Sequence, residues 1–517
     1  MENKLKNLYQ PLLAAILGIA LMFAFAPFEI FPLAVLAPAG LCALIYNASP
    51  RRSFWLGFAF GAGFFGSGVY WIFISISRYG DVPAFFTILI TAVFIAILSL
   101  FPAITCSFTN RHFTANTHTK IVYAFPALWV LSEWIRSWFF TGFPWLILGY
   151  SQTHSPLKGF APIFSVYGIS LALMVTSSLL VCGIKALRRN AYSTVYLNIF
   201  IITVIWVTGG LLSYIPWTQA VDKPVSVSLV QGNIPQSLKW DADSVELSLN
   251  SYRELTAPLW GQSDIIIWPE MAIPLPLSVA KDFVGDLSEL ATTHHSALIF
   301  GIPVQTAQED GYYNALMAVG KDKGTYIKRQ LVPFGEFVPM ENIFARAFDF
   351  LDVPMSSLKS GPHHQPPLQV GNLTILPFIC YEIAYPELAR SIDPNINLLL
   401  TVTNDAWFGE STAQAQHLQM AAMRSIEMAR PGLFVSNDGI TAIINTKGHI
   451  DKAAPTHTAF VLKGEVQAYK GLTPWMRNGI DPLLIIIAVM LFASYRHTHQ
   501  AKRQQNKDKR EHNGRDL

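Results

Sequence analysis

Cys380, Glu270 and Lys328 offer a thiol, a carboxylate and an ammonium, the side chains that nucleophilic catalysis needs. Cys380 follows the apolar run Leu373–Ile379 directly and precedes Tyr381-Glu382. A thiol is weakly nucleophilic until it loses its proton. One group must take that proton, and another must stabilise the oxyanion that attack on a carbonyl creates. Glu270, after Ile265-Ile266-Ile267-Trp268-Pro269, is placed to be the base, and Lys328, within Tyr326–Glu336, offers the cation. Taken singly, each has an ordinary structural explanation. A cysteine ending a strand is most often a small buried core residue. A glutamate after proline is most often a helix-start charge, and a lysine in a polar segment is most often solvated. Their joint occurrence at strand ends favours the chemical reading.

The elements around these residues alternate. Strands are expected at Val225–Val230, Asp264–Trp268, Ala297–Pro303, Tyr313–Val319, Leu373–Ile379 and Asn397–Thr403, and helices at Asp243–Leu259, Phe283–Thr292 and Ala413–Ala429. Leu433–Ser436 and Thr441–Asn445 read as a hairpin around Asp438-Gly439. This order predicts an α/β sandwich of sheets covered by helices. Chemistry in such sheets collects beyond the carboxyl ends of strands, and three strands here end at Glu270, Cys380 and Asn404.

The first half differs in composition. Of 517 residues, 51% are apolar and only 14% charged, against about 25% charged in ordinary soluble domains. These figures exclude a disordered chain and a wholly soluble globule, and a net charge of +3 gives no reason to expect nucleic acid. Residues 1–215 hold 16 of the 71 charged residues, 216–480 hold 44, and 481–517 hold 11. Apolar runs at Pro11–Ala26, Ile30–Tyr46, Phe54–Ile76, Ala84–Ile104, Ile121–Trp138, Phe160–Leu187, Tyr192–Tyr214 and Pro482–Ser494 predict eight spans. With a cytoplasmic N-terminus, Lys4, Lys6, Arg51, Arg52, Arg111, Lys120, Lys185, Arg188, Arg189 and seven basic residues of the tail fall inside. The opposite loops hold only Arg78, Arg136 and Lys158, in accord with the positive-inside rule. The expected division is therefore a membrane domain at 1–215, an extracytoplasmic catalytic domain at 216–480, span eight at 481–495 and a basic cytoplasmic tail at 496–517. A signal peptide is the weaker reading of the first run, because another apolar run follows at once.

Several patterns are set aside. Gly61, Gly63 and Gly66 spell G-x-G-x-x-G inside an apolar run, and Gly57 with Gly61 spells G-x-x-x-G, which points to close helix packing rather than a nucleotide loop. His294-His295 lacks further ligands at metal spacing. His417 reads as a packed or surface histidine. Cys42, Cys106 and Cys182 lie in or beside apolar helices, so Cys380 has no disulfide partner in its half.

Longer motifs complete the picture: Glu133-Trp134, Thr141–Trp145 and Gly149–Gln152; Gln231–Gln236 with Lys239-Trp240; Trp268-Pro269-Glu270; Lys328 with Leu331–Pro339; Cys380-Tyr381-Glu382; and Asn404–Gly409. On these, residues 225–468 resemble the nitrilase, or carbon–nitrogen hydrolase, superfamily. With the apolar half included, residues 10–495 resemble its membrane-embedded branch, the bacterial apolipoprotein N-acyltransferases. The resemblance implies a multi-pass α-helical membrane domain with an extracytoplasmic nitrilase-like αββα sandwich. It implies Glu270 as general base, Lys328 as oxyanion stabiliser and Cys380 as nucleophile, with Glu336 supporting the site. Trp240, Tyr381 and Glu382 match positions near the family's pocket, and Phe344–Pro362 matches an arm that covers it. Packing, a satisfied core phenol and an ion-pair partner are the ordinary alternatives for Trp240, Tyr381 and Glu382.

The implied reaction has two halves. An acyl chain moves from the sn-1 position of a membrane phospholipid, with phosphatidylethanolamine the expected donor, to the cysteine. It then passes to the α-amino group of a diacylglyceryl-cysteine at a lipoprotein N-terminus. No metal, nucleotide or other cofactor is implied, and the expected location is the bacterial inner membrane with the catalytic domain periplasmic. A membrane-tethered amidase acting on a small amide is the alternative that shares the triad. A transporter with a sensor domain fits less well, since Glu133 and Arg136, the main charged residues within a run, lie near its outer end.

Overall fold

The strand pattern of the second half resolves, in the computed structural model, into two sheets. The structure describes residues 2–80, 82–113, 117–236, 244–308, 311–320, 322–333, 335–337 and 358–513. In chain order the strands are β1 (Gln219–Gln231), β2 (Ile265–Ile267), β3 (Ala297–Gln305), β4 (Tyr312–Gly320), β5 (Gly324–Ile327), β6 (Leu358–Lys359), β7 (Leu368–Val370), β8 (Leu373–Ile379), β9 (Leu398–Thr403), β10 (Gly432–Ser436), β11 (Ala442–Ile444), β12 (Ile450–Ala453) and β13 (Phe460–Lys470). One sheet runs β13-β1-β2-β3-β4-β5, with β6 beside β4; the other runs β12-β11-β10-β9-β8-β7. Parallel pairing of β1-β2-β3 and of β8-β9-β10 lines up the carboxyl ends that carry the candidate residues.

Period-two burial explains the layering. Val227, Leu229, Ile265, Ile267, Ile375, Ile379, Leu398, Leu400, Val402, Leu433 and Val435 form one core between the sheets. The alternate residues face outward into two further cores. Val230, Ile266, Leu298 and Phe300 meet Tyr252 and Leu287 from helices Val245–Thr256 and Lys281–Thr293. Phe378, Leu399 and Phe434 meet Leu418, Ala421 and Ala422 from helix Ala413–Met428. Strands buried on both faces need continuous apolar sequence, as Ile265–Ile267 and Leu398–Leu400 have. The layers are helix, sheet, sheet, helix.

Contacts divide the chain into two compact units. One holds residues 1–70, 88–215 and 478–517; the other holds 71–87 and 216–477. Among the described residues, Ala84–His112, Pro156–Leu187, Tyr192–Leu212 and Asp481–Gln500 are long and apolar enough to cross a membrane. The broken pair Pro50–Gly68 and Trp71–Tyr79 makes a fifth candidate, while Tyr9–Met22 and Leu33–Ile45 are shorter apolar helices. The run Ile121–Trp138 is interrupted: Lys120–Ala124 is a π turn, and the α-helix spans Phe125–Arg136. Pro126 has no N–H to give and crowds the carbonyl four residues back, which favours the wider turn. The expected continuous run Phe54–Ile76 also breaks, at Val69-Tyr70 after a glycine-rich turn in which the Ser67 hydroxyl donates to the Gly63 carbonyl at 2.7 Å.

The glycine motif is a packing device. A Cβ on Gly57 would lie 2.5 Å from the Pro102 carbonyl oxygen, and one on Gly63 would lie 2.1 Å from that of Ala15. Backbones that close tolerate only glycine.

Candidate active site

Glu270 stands where β2 ends. Pro269 has no N–H for the ladder, and Met271 adopts φ +51°, so the chain turns sharply and leaves the carboxylate at the strand's carboxyl end. Gly301 on β3 makes room: a Cβ there would lie 2.3 Å from the Met271 nitrogen. Glu270 is 6% exposed. Its Oε1 accepts from Asn314 Nδ2 at 2.7 Å and Lys328 Nζ at 3.1 Å, and its Oε2 accepts from the Asn404 N–H at 3.1 Å.

Lys328 follows β5 and is 1% exposed. Its N–H donates to the Asn314 carbonyl at 2.8 Å, continuing the β4–β5 pairing by one residue. Its ammonium bridges Glu270 and, at 2.7 Å, Glu336 Oε1. Glu336 Oε2 is held in turn by the Val332 N–H at 2.8 Å. Burial alone would lower the lysine pKa, but Glu270 and Glu336 outweigh it and hold the ammonium well above its usual range.

Cys380 follows β8 directly and opens the 3₁₀ turn Cys380–Ala384 with φ +54°. A non-glycine residue in this region carries about 1–3 kcal/mol of strain and persists only where its surroundings fix it. Glu382 does the fixing. Fully buried, it accepts from the Ile379 N–H at 2.8 Å and the Tyr326 hydroxyl at 3.0 Å on Oε2, and from the Arg329 and Gln330 N–H groups at 2.7 and 3.2 Å on Oε1. One carboxylate thus ties the cysteine turn to the segment carrying Lys328. Burial raises the Glu382 pKa, and these hydrogen bonds oppose the rise.

Burial pushes the Cys380 thiol well above its ordinary range. Glu270 and Asp405 push the same way, while Lys328 and Thr403 oppose them. The resting sulfur therefore carries its proton, and attack requires a base at that moment. Glu270 is a carboxylate that acts on the thiol and is chemically able to accept a proton, and Lys328 is a positive charge acting on the same sulfur. Glu270, Lys328, Glu336 and Cys380 come together as one electrostatic cluster.

The remaining candidate residues divide. Tyr381 is buried with its ring edge-on to Tyr385, centroids 5.1 Å apart. Glu382 is a hydrogen-bond hub behind the site. Trp240 and residues 344–357 of the arm lie outside the described residues. Asn314 was not anticipated, although a polar residue in the apolar strand Tyr313–Val319 is a usable signal. Asn404 was anticipated only as a strand end. Its amide also joins Gln236 Oε1 at 2.6 Å, and Asn437 Nδ2 donates to Asn404 Oδ1 at 3.0 Å. His417 is fully buried rather than at the surface.

Two family models match the chain. The apolipoprotein N-acyltransferase N-terminal domain covers residues 17–179 and the carbon-nitrogen hydrolase model covers 226–472. A protein of Coxiella burnetii named apolipoprotein N-acyltransferase is 40% identical over 484 residues, covering 93% of this chain and 99% of that one. One of the same name from Pseudomonas putida is 38% identical over 486 residues, covering 93% and 95%. Among solved structures, a CN-hydrolase superfamily protein from Xanthomonas campestris aligns at a TM-score of 0.36 and 20% identity, over 47% of this chain and 91% of that one.

Proposed function

We propose a function from one premise: the chain belongs to the apolipoprotein N-acyltransferase family, and its catalytic fold is that of the carbon–nitrogen hydrolases. The enzyme transfers an acyl chain from the sn-1 position of a membrane phospholipid, phosphatidylethanolamine in the first instance, to the α-amino group of the diacylglyceryl-cysteine of apolipoproteins. The observation that carries this reading is that a carbon–nitrogen hydrolase region shares one chain with the N-acyltransferase N-terminal domain, and full-length relatives match both.

The chemistry follows from the cluster. Glu270 takes the Cys380 thiol proton as sulfur attacks the ester carbonyl, and Lys328 faces the oxyanion. Collapse expels the lysophospholipid oxygen, which takes the proton from Glu270 and leaves a thioester. The lipoprotein amine then attacks, Glu270 accepts its proton, and collapse returns the thiolate, which is reprotonated. Exchange of an ester for an amide is downhill overall, with the thioester as the activated intermediate between them. Glu336 holds the far side of the Lys328 ammonium and keeps it oriented.

The membrane setting fits the substrates. Drawing an acyl chain out of a bilayer costs about 0.8 kcal/mol per CH₂, so a site at the bilayer face spares both half-reactions that cost. Eight spans, an inner-membrane location and a periplasmic catalytic region complete the proposal. The distribution of basic residues supports this orientation, and so does the folding of residues 71–87, Arg78 included, with residues 216–477. The test supplies phosphatidylethanolamine labelled in its sn-1 chain and a diacylglyceryl-cysteine peptide. Labelled N-acyl peptide is expected. Hydrolysis of a small amide without lipid, and no labelled peptide, would favour the amidase instead.

A further inference from the structure

A second set of buried groups touches Cys380. β8 and β9 run parallel with Ile379 beside Val402, so the next residues, Cys380 and Thr403, are neighbours at the strand ends. The Thr403 hydroxyl is thereby placed beside the Cys380 side chain and favours its thiolate against the effect of burial. It also donates to Asp405 Oδ1 at 2.8 Å. Asp405 Oδ1 lies 3.0 Å from His417 Nδ1, and His417 Nε2 lies 3.1 Å from the Cys380 carbonyl oxygen. The path leaves the nucleophile's sulfur and returns to the same residue's backbone. Thr403, Asp405 and His417 are all fully buried. Phe408 and Phe434 stand edge-on to the imidazole, with centroids 6.1 and 5.2 Å away, and hold its plane.

Proton bookkeeping defines what this circuit can do. A carbonyl oxygen only accepts, so His417 Nε2 donates to Cys380. That bond fixes the backbone of a residue held at φ +54°. The Thr403 hydroxyl has one hydrogen. In the resting state it goes to Asp405, and the oxygen's lone pairs are free to accept the S–H. A thiolate has no hydrogen to give and can only accept.

We infer that Thr403 is a catalytic hydroxyl that turns its hydrogen from Asp405 to the Cys380 sulfur as the thiolate forms, and that Asp405 and His417 are positioning residues for that turn. No proton is transferred: Thr403 rotates, Asp405 gives up one hydrogen bond and the thiolate gains one. The thiol's other charged neighbours are Glu270 and Lys328. Of the groups that favour the thiolate, Lys328 is already shared between two carboxylates, which leaves Thr403 as a neutral donor adding no charge. The inference rests on Cys380 being the nucleophile.

The test uses full-length protein in detergent with phosphatidylethanolamine, comparing wild type, Thr403→Val and Thr403→Ser. Acylation rate, phospholipid KM and the pH profile of iodoacetamide alkylation are measured. Thr403→Val is expected to lose about tenfold to hundredfold in acylation rate, the worth of a hydrogen bond to a charged group. Its KM stays unchanged, its alkylation profile moves to higher pH, and Thr403→Ser restores both. A valine variant with wild-type rate and profile, or a serine variant no better than valine, overturns the inference. Should the valine variant lose its melting transition, His417→Gln and His417→Asn decide. Gln keeps a donor for the Cys380 carbonyl and should acylate faster than Asn; an equal or reversed order overturns the inference. If wild type takes up no acyl chain on Cys380, the nucleophile assignment itself fails, which is distinguishable from failure of the Thr403 variants alone.

Discussion

Lys328→Met should destabilise the protein as well as silence it. The ammonium is 1% exposed and lies 3.1 Å from Glu270 and 2.7 Å from Glu336. At an effective permittivity of about 20, unit charges at those separations attract by about 5 and about 6 kcal/mol. Dehydrating three charges offsets much of that. The measured result of removing one partner from a buried pair is a loss of about 3–5 kcal/mol, because the remaining charge is stranded. Here two carboxylates are stranded together. In a unit of this size each kcal/mol moves the melting temperature by about 2–4 °C, so a drop of about 6–20 °C is expected. Adding Glu336→Gln removes one stranded charge and should recover at least half of the drop without recovering turnover. Thermal unfolding in detergent, followed by tryptophan fluorescence, reads both effects. Unchanged melting in Lys328→Met, or no recovery in the double variant, would refute the reasoning that the lysine holds the two carboxylates together.

Glu270→Gln separates the two effects of that carboxylate. Acyl transfer should fall about 10²–10⁴-fold through loss of the base. Glu270 raises the thiol pKa, so its removal lowers it; the thiolate fraction at neutral pH rises, and iodoacetamide alkylation of Cys380 should become faster than in wild type. Slower alkylation would contradict the electrostatic assignment. Glu382→Gln replaces an acceptor of four hydrogen bonds by an amide whose NH₂ must face two of the donors, each unmet group costing about 1–3 kcal/mol. Lower melting is expected, with activity following the folded fraction; full stability with lost activity would make Glu382 a substrate contact instead. Gly301→Ala sets a methyl 2.3 Å from the Met271 nitrogen. It should cost about 1–3 kcal/mol through overpacking and slow acylation by displacing Glu270; wild-type melting and rate would show that the turn has room to shift.

The positions of the longer central strands were readable because buried parallel strands require largely apolar runs, and Leu373–Ile379 matches β8 residue for residue; the order of strands in the sheets was not. β13 was missed, since Phe460–Lys470 alternates with Lys463, Glu465 and Gln467 and looks like a solvated loop. It forms an edge strand against β1, and one face of such a strand is free to be polar. β5 and β7 were missed because three or four residues carry too little period to read. Within the site, Glu270 and Cys380 announced themselves by following apolar strands. Lys328 drew its meaning from Glu336, eight residues on, and from Glu270, 58 residues back, which only the fold brings to its ammonium. The His417 role was invisible for the same reason: helix Ala413–Met428 shows an ordinary amphipathic pattern, and only the fold brings the ring to the Cys380 carbonyl.

The most direct test of the central claim is the intact mass of the purified protein after incubation with phosphatidylethanolamine vesicles and no acceptor. A single acyl increment is expected. It should map to Cys380, be released by hydroxylamine, move to a diacylglyceryl-cysteine peptide on addition, and be absent from Cys380→Ala. Peptide N-acylation that proceeds with no adduct on Cys380, or an adduct that persists in Cys380→Ala, would contradict the account.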